Sequence, residues 1–161
     1  MKHTISCLVY NKPGVLAKIA SSFAKENINI YSLAAGEVEE EDRSRMTIVV
    51  DADMETVREA EKRLMKIDEV IKLHDFRAEE LIDMELLLIK VRIKPASIPQ
   101  ILQIAELFNA QVIAVSDTAM VLSLASEEKR INGLVRMLKP IGIIEMSRSG
   151  KIAVTSPEWE E

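Results

Sequence analysis

Few residues of this 161-residue chain are equipped for chemistry, and those few are scattered. Two histidines, His3 and His74, fall on segments that read as strands and face no obvious partner, so they read as ordinary strand histidines. The single cysteine, Cys7, sits on the apolar face of its strand and reads as a small core residue. The acidic run from Glu37 to Asp42 has the charge to attract a metal, but on a hairpin tip such a run is ordinarily solvated. Walker, GxGxxG, HExxH and GxSxG signatures are all missing from the sequence. A catalytic role is therefore not expected of this chain.

One short stretch is more informative. Asn11-Lys12-Pro13-Gly14-Val15-Leu16 joins a strand to the start of a helix, where the first backbone N–H groups lack intrahelical partners. Those donors and the helix dipole favour an anion by about 0.3–1 kcal/mol at an exposed site. Gly14 carries no Cβ to keep a ligand off the backbone, and Asn11 offers an amide. A plain tight turn is the alternative, and the turn alone does not choose.

The elements around it follow from periodicity. Ile5, Cys7 and Val9 alternate as a strand, and from Val15 the period turns helical, with Leu16, Ile19, Ala20 and Phe23 inward. Asn27 stops that helix. Strands follow over Ile28–Ala34 and Met46–Val50, then a helix capped by Asp53 with Val57, Ala60, Leu64 and Ile67 inward, then the strand Val70–His74. The β-α-β-β-α-β order then repeats. Its second copy has a strand at Leu86–Ile93, a helix capped by Ser97 that buries Ile101, Leu102, Ala105 and Phe108, and strands at Gln111–Val115 and Ala119–Leu124. It closes with a helix over Lys129–Lys139, a strand at Ile143–Met146 and an added edge at Lys151–Thr155. The expected fold class is therefore α+β, two ferredoxin-like βαββαβ domains over 1–76 and 84–161, with 77–83 as linker.

Composition sets the outer bounds. Hydrophobic residues make up 48% of the chain and charged residues 29%, a globular balance. With 21 basic against 26 acidic residues the formal charge is −5, and only 4% of residues are aromatic. Both numbers speak against nucleic acid as a partner. The run Leu86–Ile89 is halted by Lys90, far short of a membrane span, and the N-terminus lacks the apolar core of a secretory signal. One cysteine suits a reducing compartment, so a cytoplasmic location is expected.

Taken together, Asn11-Lys-Pro-Gly-Val-Leu16, Asn29-Ile-Tyr-Ser-Leu33 and Ser44-Arg-Met-Thr-Ile48 resemble an ACT domain. More narrowly, the chain resembles the small regulatory subunits of acetohydroxyacid synthase (acetolactate synthase). Ser147-Arg-Ser-Gly150 matches a segment of that family's second domain. Two departures stand out: Asn27-Ile28 replaces the family's usual Gly-aromatic pair, and the tail after Gly150 differs. The resemblance implies a chain without an active site of its own. It implies activation of a large catalytic subunit that carries thiamin diphosphate, magnesium and flavin (FAD), with no cofactor or metal on this chain. It implies feedback inhibition by valine, with leucine or isoleucine as further effectors. Residue by residue, the effector site would comprise Asn11, Pro13, Gly14, Val15 and Leu16 of one N-terminal domain. Asn29 and Ile30 of a neighbouring chain would complete it, in a homodimer formed through that domain. Asn29 has an alternative role in capping the strand entry. The rival expectation is a stand-alone tandem ACT sensor serving another pathway or transcription.

Overall fold

A computed structural model describes residues 1–78 and 80–159. The chain forms two compact units, Met1–Ile82 together with the chain from Lys151 onward, and Asp83–Gly150. In the first unit strands β1 (Lys2–Tyr10), β2 (Ile30–Glu37), β3 (Arg43–Asp51) and β4 (Val70–Asp75) pair in the order β2-β3-β1-β4. Helices α1 (Val15–Lys25) and α2 (Met54–Leu64) connect them in the split βαβ manner. The fold class is α+β, as the alternation of periods predicts.

The apolar face of β1 meets the helices. Ile5, Cys7 and Val9 join Val15, Ile19, Phe23, Val57, Ala60 and Leu64 in one buried cluster. Burying each large side chain contributes about 1.5–3 kcal/mol. Asp53 caps α2 as expected, accepting from the Thr56 N–H at 2.9 Å. Helix α1 ends at Asn27, whose φ of 56° is left-handed. The Asn27 N–H donates to Ala24 O at 3.0 Å and the Ile28 N–H to Phe23 O at 3.0 Å, the paired bonds of a Schellman stop. The family's glycine is thus dispensable at this turn, because Asn tolerates the same conformation.

In the second unit β5 (Leu81–Arg92), β6 (Gln111–Val115), β7 (Ala119–Ser126) and β8 (Ile143–Arg148) pair in the order β6-β7-β5-β8. Helices α3 (Ile98–Phe108) and α4 (Glu128–Leu138) cover one face. Asn109, with φ 55°, ends α3 by the same pair of bonds, from Asn109 N–H to Glu106 O and from Ala110 N–H to Ala105 O. The internal repeat extends to the chemistry of its stops.

Several expectations need correction. Leu16 and Leu102 are 46% exposed, because each lies one residue beside its helix's buried face, which is led by Val15 in α1 and Ile101 in α3. Ser97 stands at the start of α3 but makes no side-chain cap; its hydroxyl turns back to Lys94 O and accepts from the Lys94 N–H, both at 2.9 Å. The tail is held by both halves of the expected division. Strand β9 (Ile152–Thr155) pairs with β5 of the second sheet, while Ser156 N–H donates to Glu80 O at 2.6 Å and the segment is grouped with the first compact unit. The linker also shortens at its end, since Leu81 already opens β5. Both histidines have carboxylate partners: His3 Nδ1 lies 2.9 Å from Asp75 Oδ2, and His74 Nε2 lies 3.3 Å from Glu80 Oε2. No described helix is long and apolar enough to cross a membrane.

Candidate functional site

The turn between β1 and α1 is positioned by a strand that must end and a helix that must begin. Gly14 is the N-cap, with φ 86° and no side-chain cap on the helix. That φ strains any residue bearing a Cβ. The space a Cβ would enter is open, with no atom within 4 Å. The Lys18 N–H already closes the first helical bond onto Gly14 O at 3.2 Å, while the Val15 N–H has only a long 3.4 Å contact to Lys12 O. At the exposed residues Leu16 and Ala17 the next N–H groups fall in the first helical turn, where no intrahelical carbonyl is available to them.

Asn11 fixes the other wall. Its N–H donates to Asp42 O at 2.7 Å, and its Nδ2 reaches Glu37 Oε1 at 3.5 Å. The two ends of the acidic run therefore touch the turn, Asp42 through its main-chain carbonyl and Glu37 through its carboxylate, contacts the sequence did not disclose. The acidic residues of the run are exposed, as expected of a solvated hairpin tip. The only hint was position: Glu37 ends a strand that the topology brings beside β1's exit. Carbonyl, carboxylate and amide oxygens on one side and N–H groups on the other suit a zwitterion.

The expected site residues are not all brought together within one chain. Asn11, Pro13, Gly14 and Leu16 are exposed at the turn. Val15 departs from expectation: its side chain is 2% exposed and points into the core, so it offers its backbone and no pocket wall. Asn29 is exposed, and Ile30 is half-buried at the start of β2. The turn, however, lies beside Glu37 at the other end of β2, and the 8 residues of that strand span roughly 23 Å from first to last. Since β2 is the outer strand of its sheet, its free edge is where a second copy can pair.

Other reactive groups are structurally committed. Cys7 is fully buried, and burial pushes its thiol up to about 11. Among the described residues no group of three or more His, Cys, Asp or Glu side chains forms that could hold a metal ion. In the segment Ser147-Arg-Ser-Gly150, Arg148 holds Asn132 Oδ1 at 2.9 Å and also pairs with Glu85. Ser149 donates its N–H to Leu86 O at 3.0 Å and accepts from the Leu86 N–H through Oγ at 2.9 Å. The motif ties the end of β8 onto β5.

Comparison with known proteins agrees in both halves. Residues 5–72 match the family described as the AHAS small subunit-like ACT domain, and residues 84–157 match the small subunit of acetolactate synthase. An acetolactate synthase small subunit from Mycolicibacterium smegmatis is 39% identical over 153 residues, 95% of this chain and 90% of that one. Its counterpart from Mycobacterium bovis is 40% identical over 153 residues, covering 95% and 91%. The crystal structure of an acetolactate synthase small subunit from Thermotoga maritima superposes with a TM-score of 0.91 at 31% identity, covering 100% of this chain and 99% of that one.

Proposed function

Since the chain belongs to the family of acetolactate synthase small subunits, we propose that it activates a large catalytic subunit and makes it sensitive to a branched-chain amino acid, valine first. The thiamin diphosphate, magnesium and flavin are assigned to that partner, and this chain supplies regulation without an active site. The observation that carries the effector site is the separation along β2. The turn at Gly14 and the Asn29–Ile30 pair lie at opposite ends of one edge strand, so antiparallel pairing of two copies brings them face to face.

The effector's carboxylate takes the exposed N–H groups that open α1. Its ammonium takes the Asn11 side-chain oxygen, Glu37 and the partner subunit's Asn29. Its branched side chain lies between Leu16 and the partner subunit's Ile30. A pocket of this kind separates neighbouring aliphatic side chains by about 1–3 kcal/mol per methylene, so leucine and isoleucine bind with graded strength. Because the site uses two chains, the ligand favours one dimer arrangement, and that difference in affinity is the signal.

Reconstitution tests the reading. The chain is mixed with a catalytic subunit and acetolactate formation is followed with and without valine. The expected result is a rise in activity that valine reverses. No rise in activity, together with no heat of valine binding by calorimetry, overturns it.

A further inference from the structure

The first sheet has two edges: one is β2 and the other is β4, along whose outer side no described strand pairs. Phe76 N–H donates to Thr4 O at 2.9 Å, which fixes the phase of the ladder between β1 and β4. Bonded and non-bonded pairs alternate along an antiparallel ladder. His74, opposite Ser6, and Lys72, opposite Leu8, therefore turn their main-chain groups toward β1. Leu73 and Asp75 turn theirs outward, a template for one more strand. Their side chains share the face of their partners Cys7 and Ile5, which is the face the helices cover.

Beside this edge runs an open groove of about 740 Å³, with α2 as its other wall. Arg58 and Lys62 on α2 and Lys66 just beyond it line the groove at steps of four residues, so they form one row. Met65, 53% exposed, and Leu73 give the groove an apolar patch. Two carboxylates line it as well. Asp75 is answered by His3 Nδ1 at 2.9 Å, and Glu61 has Arg58 and His3 among its charged neighbours. Cations still outnumber carboxylates three to two along this groove, in a chain whose net charge is −5. An edge strand facing a helix across a groove captures an extended segment by strand addition. Main-chain bonds then supply affinity, and the side chains that enter the groove supply selectivity.

We infer that this groove receives an extended segment of the catalytic subunit, with an acidic side chain for the row of cations and an apolar one for Met65 and Leu73. The inference rests on the proposed function for the existence of that partner, and it adds where the partner is held. Pairing of two copies occupies the β2 edge, so β4 is the edge of this sheet that a different chain can extend. A symmetric dimer then offers two such edges, one at each outer end of its joined sheet.

The test measures binding of the whole chain to a catalytic subunit by surface plasmon resonance, with acetolactate formation followed in parallel. Arg58→Glu combined with Lys66→Glu, both at exposed positions, should weaken binding at least about tenfold. Met65→Asp, which sets a carboxylate on the apolar patch, should weaken it comparably. Lys129→Glu combined with Lys139→Glu makes the same change of net charge at exposed positions of the second unit and should bind as the unmodified chain does. Hydrogen exchange over Val70–Asp75 should slow in the complex. An unmodified chain that neither binds nor activates overturns the proposed function, and this site with it. Where the unmodified chain binds and activates, groove variants that bind as tightly, or exchange over β4 that stays unchanged, overturn the groove and leave the function standing. An equal loss from the Lys129 and Lys139 pair overturns it too, as an effect of net charge alone. So do groove variants whose only defect is in self-association by sedimentation, for then the occupant is a second copy.

Discussion

At the scale of single residues, Gly14 combines two demands that one experiment can separate. Its φ of 86° strains every substitution by about 1–2 kcal/mol, while a carboxylate there adds repulsion against the effector's own. Gly14→Asn carries the strain without the charge and should keep a valine response, weakened but measurable. Gly14→Asp should lose the response and retain activation of the catalytic subunit. A synthase assay over a valine titration distinguishes them, and equal responses from the two variants would remove the carboxylate from this turn. Cys7 makes a second, independent prediction. Burial raises its pKa from 9.0 to about 11, so the folded state prefers the protonated thiol. That contribution to stability is complete below pH 9 and declines as pH climbs toward 11. Urea unfolding at pH 8 and at pH 10 should show the decline, and Cys7→Ala should flatten it. Gly14, Cys7 and the left-handed Asn27 were legible because their constraint is local. Glu37 and the carboxylate beside His3 were not, since their contacts lie 26 and 72 residues away in sequence.

Elements were the most readable scale, because a strand repeats every two residues and a helix every 3.6. The errors came where an apolar residue sits one step off the buried face. Leu16 and Leu102 are as hydrophobic as their neighbours, and only the position of the packed sheet says which leucine turns outward. Packing between elements is equally silent in sequence. Gly133 lies inside α4, where glycine is a poor helix former, and the reason is the neighbouring helix. A Cβ at that position would stand 3.0 Å from Phe108 Cε1 and 3.3 Å from Cζ. Arg130 restrains Phe108, stacking 5.8 Å from its ring and donating to its carbonyl at 2.9 Å. Gly133→Ala should therefore change stability by less than about 1 kcal/mol, the helix gain offsetting the squeeze. Gly133→Leu should lower it by about 1–3 kcal/mol in urea unfolding. A stable Gly133→Leu would mean that α3 and α4 pack more loosely than their contact implies.

For the whole molecule, the repeat and the added tail strand were legible, but the partner of β9 was not, since it is set by long-range pairing. The same kind of long-range pairing, between chains, decides the regulatory reading. Within one chain the two halves of the proposed effector site are roughly 23 Å apart along β2, farther than an amino acid reaches. A ligand that needs both halves binds only the dimer, so ligand must strengthen dimerisation by linkage. At a hundred times its dissociation constant, each bound effector adds about 2.7 kcal/mol to the paired state. That equals about a hundredfold in the dimer dissociation constant, and two symmetric sites double the free energy. Sedimentation equilibrium across a valine titration should follow this rise, and Asn29→Ala should reduce it without altering the secondary structure. An association constant indifferent to valine, in a chain that still binds valine, would place the whole site within a single protomer. The separation along β2 would then be irrelevant, and the signal would have to pass through the fold of one subunit instead of through the seam between two.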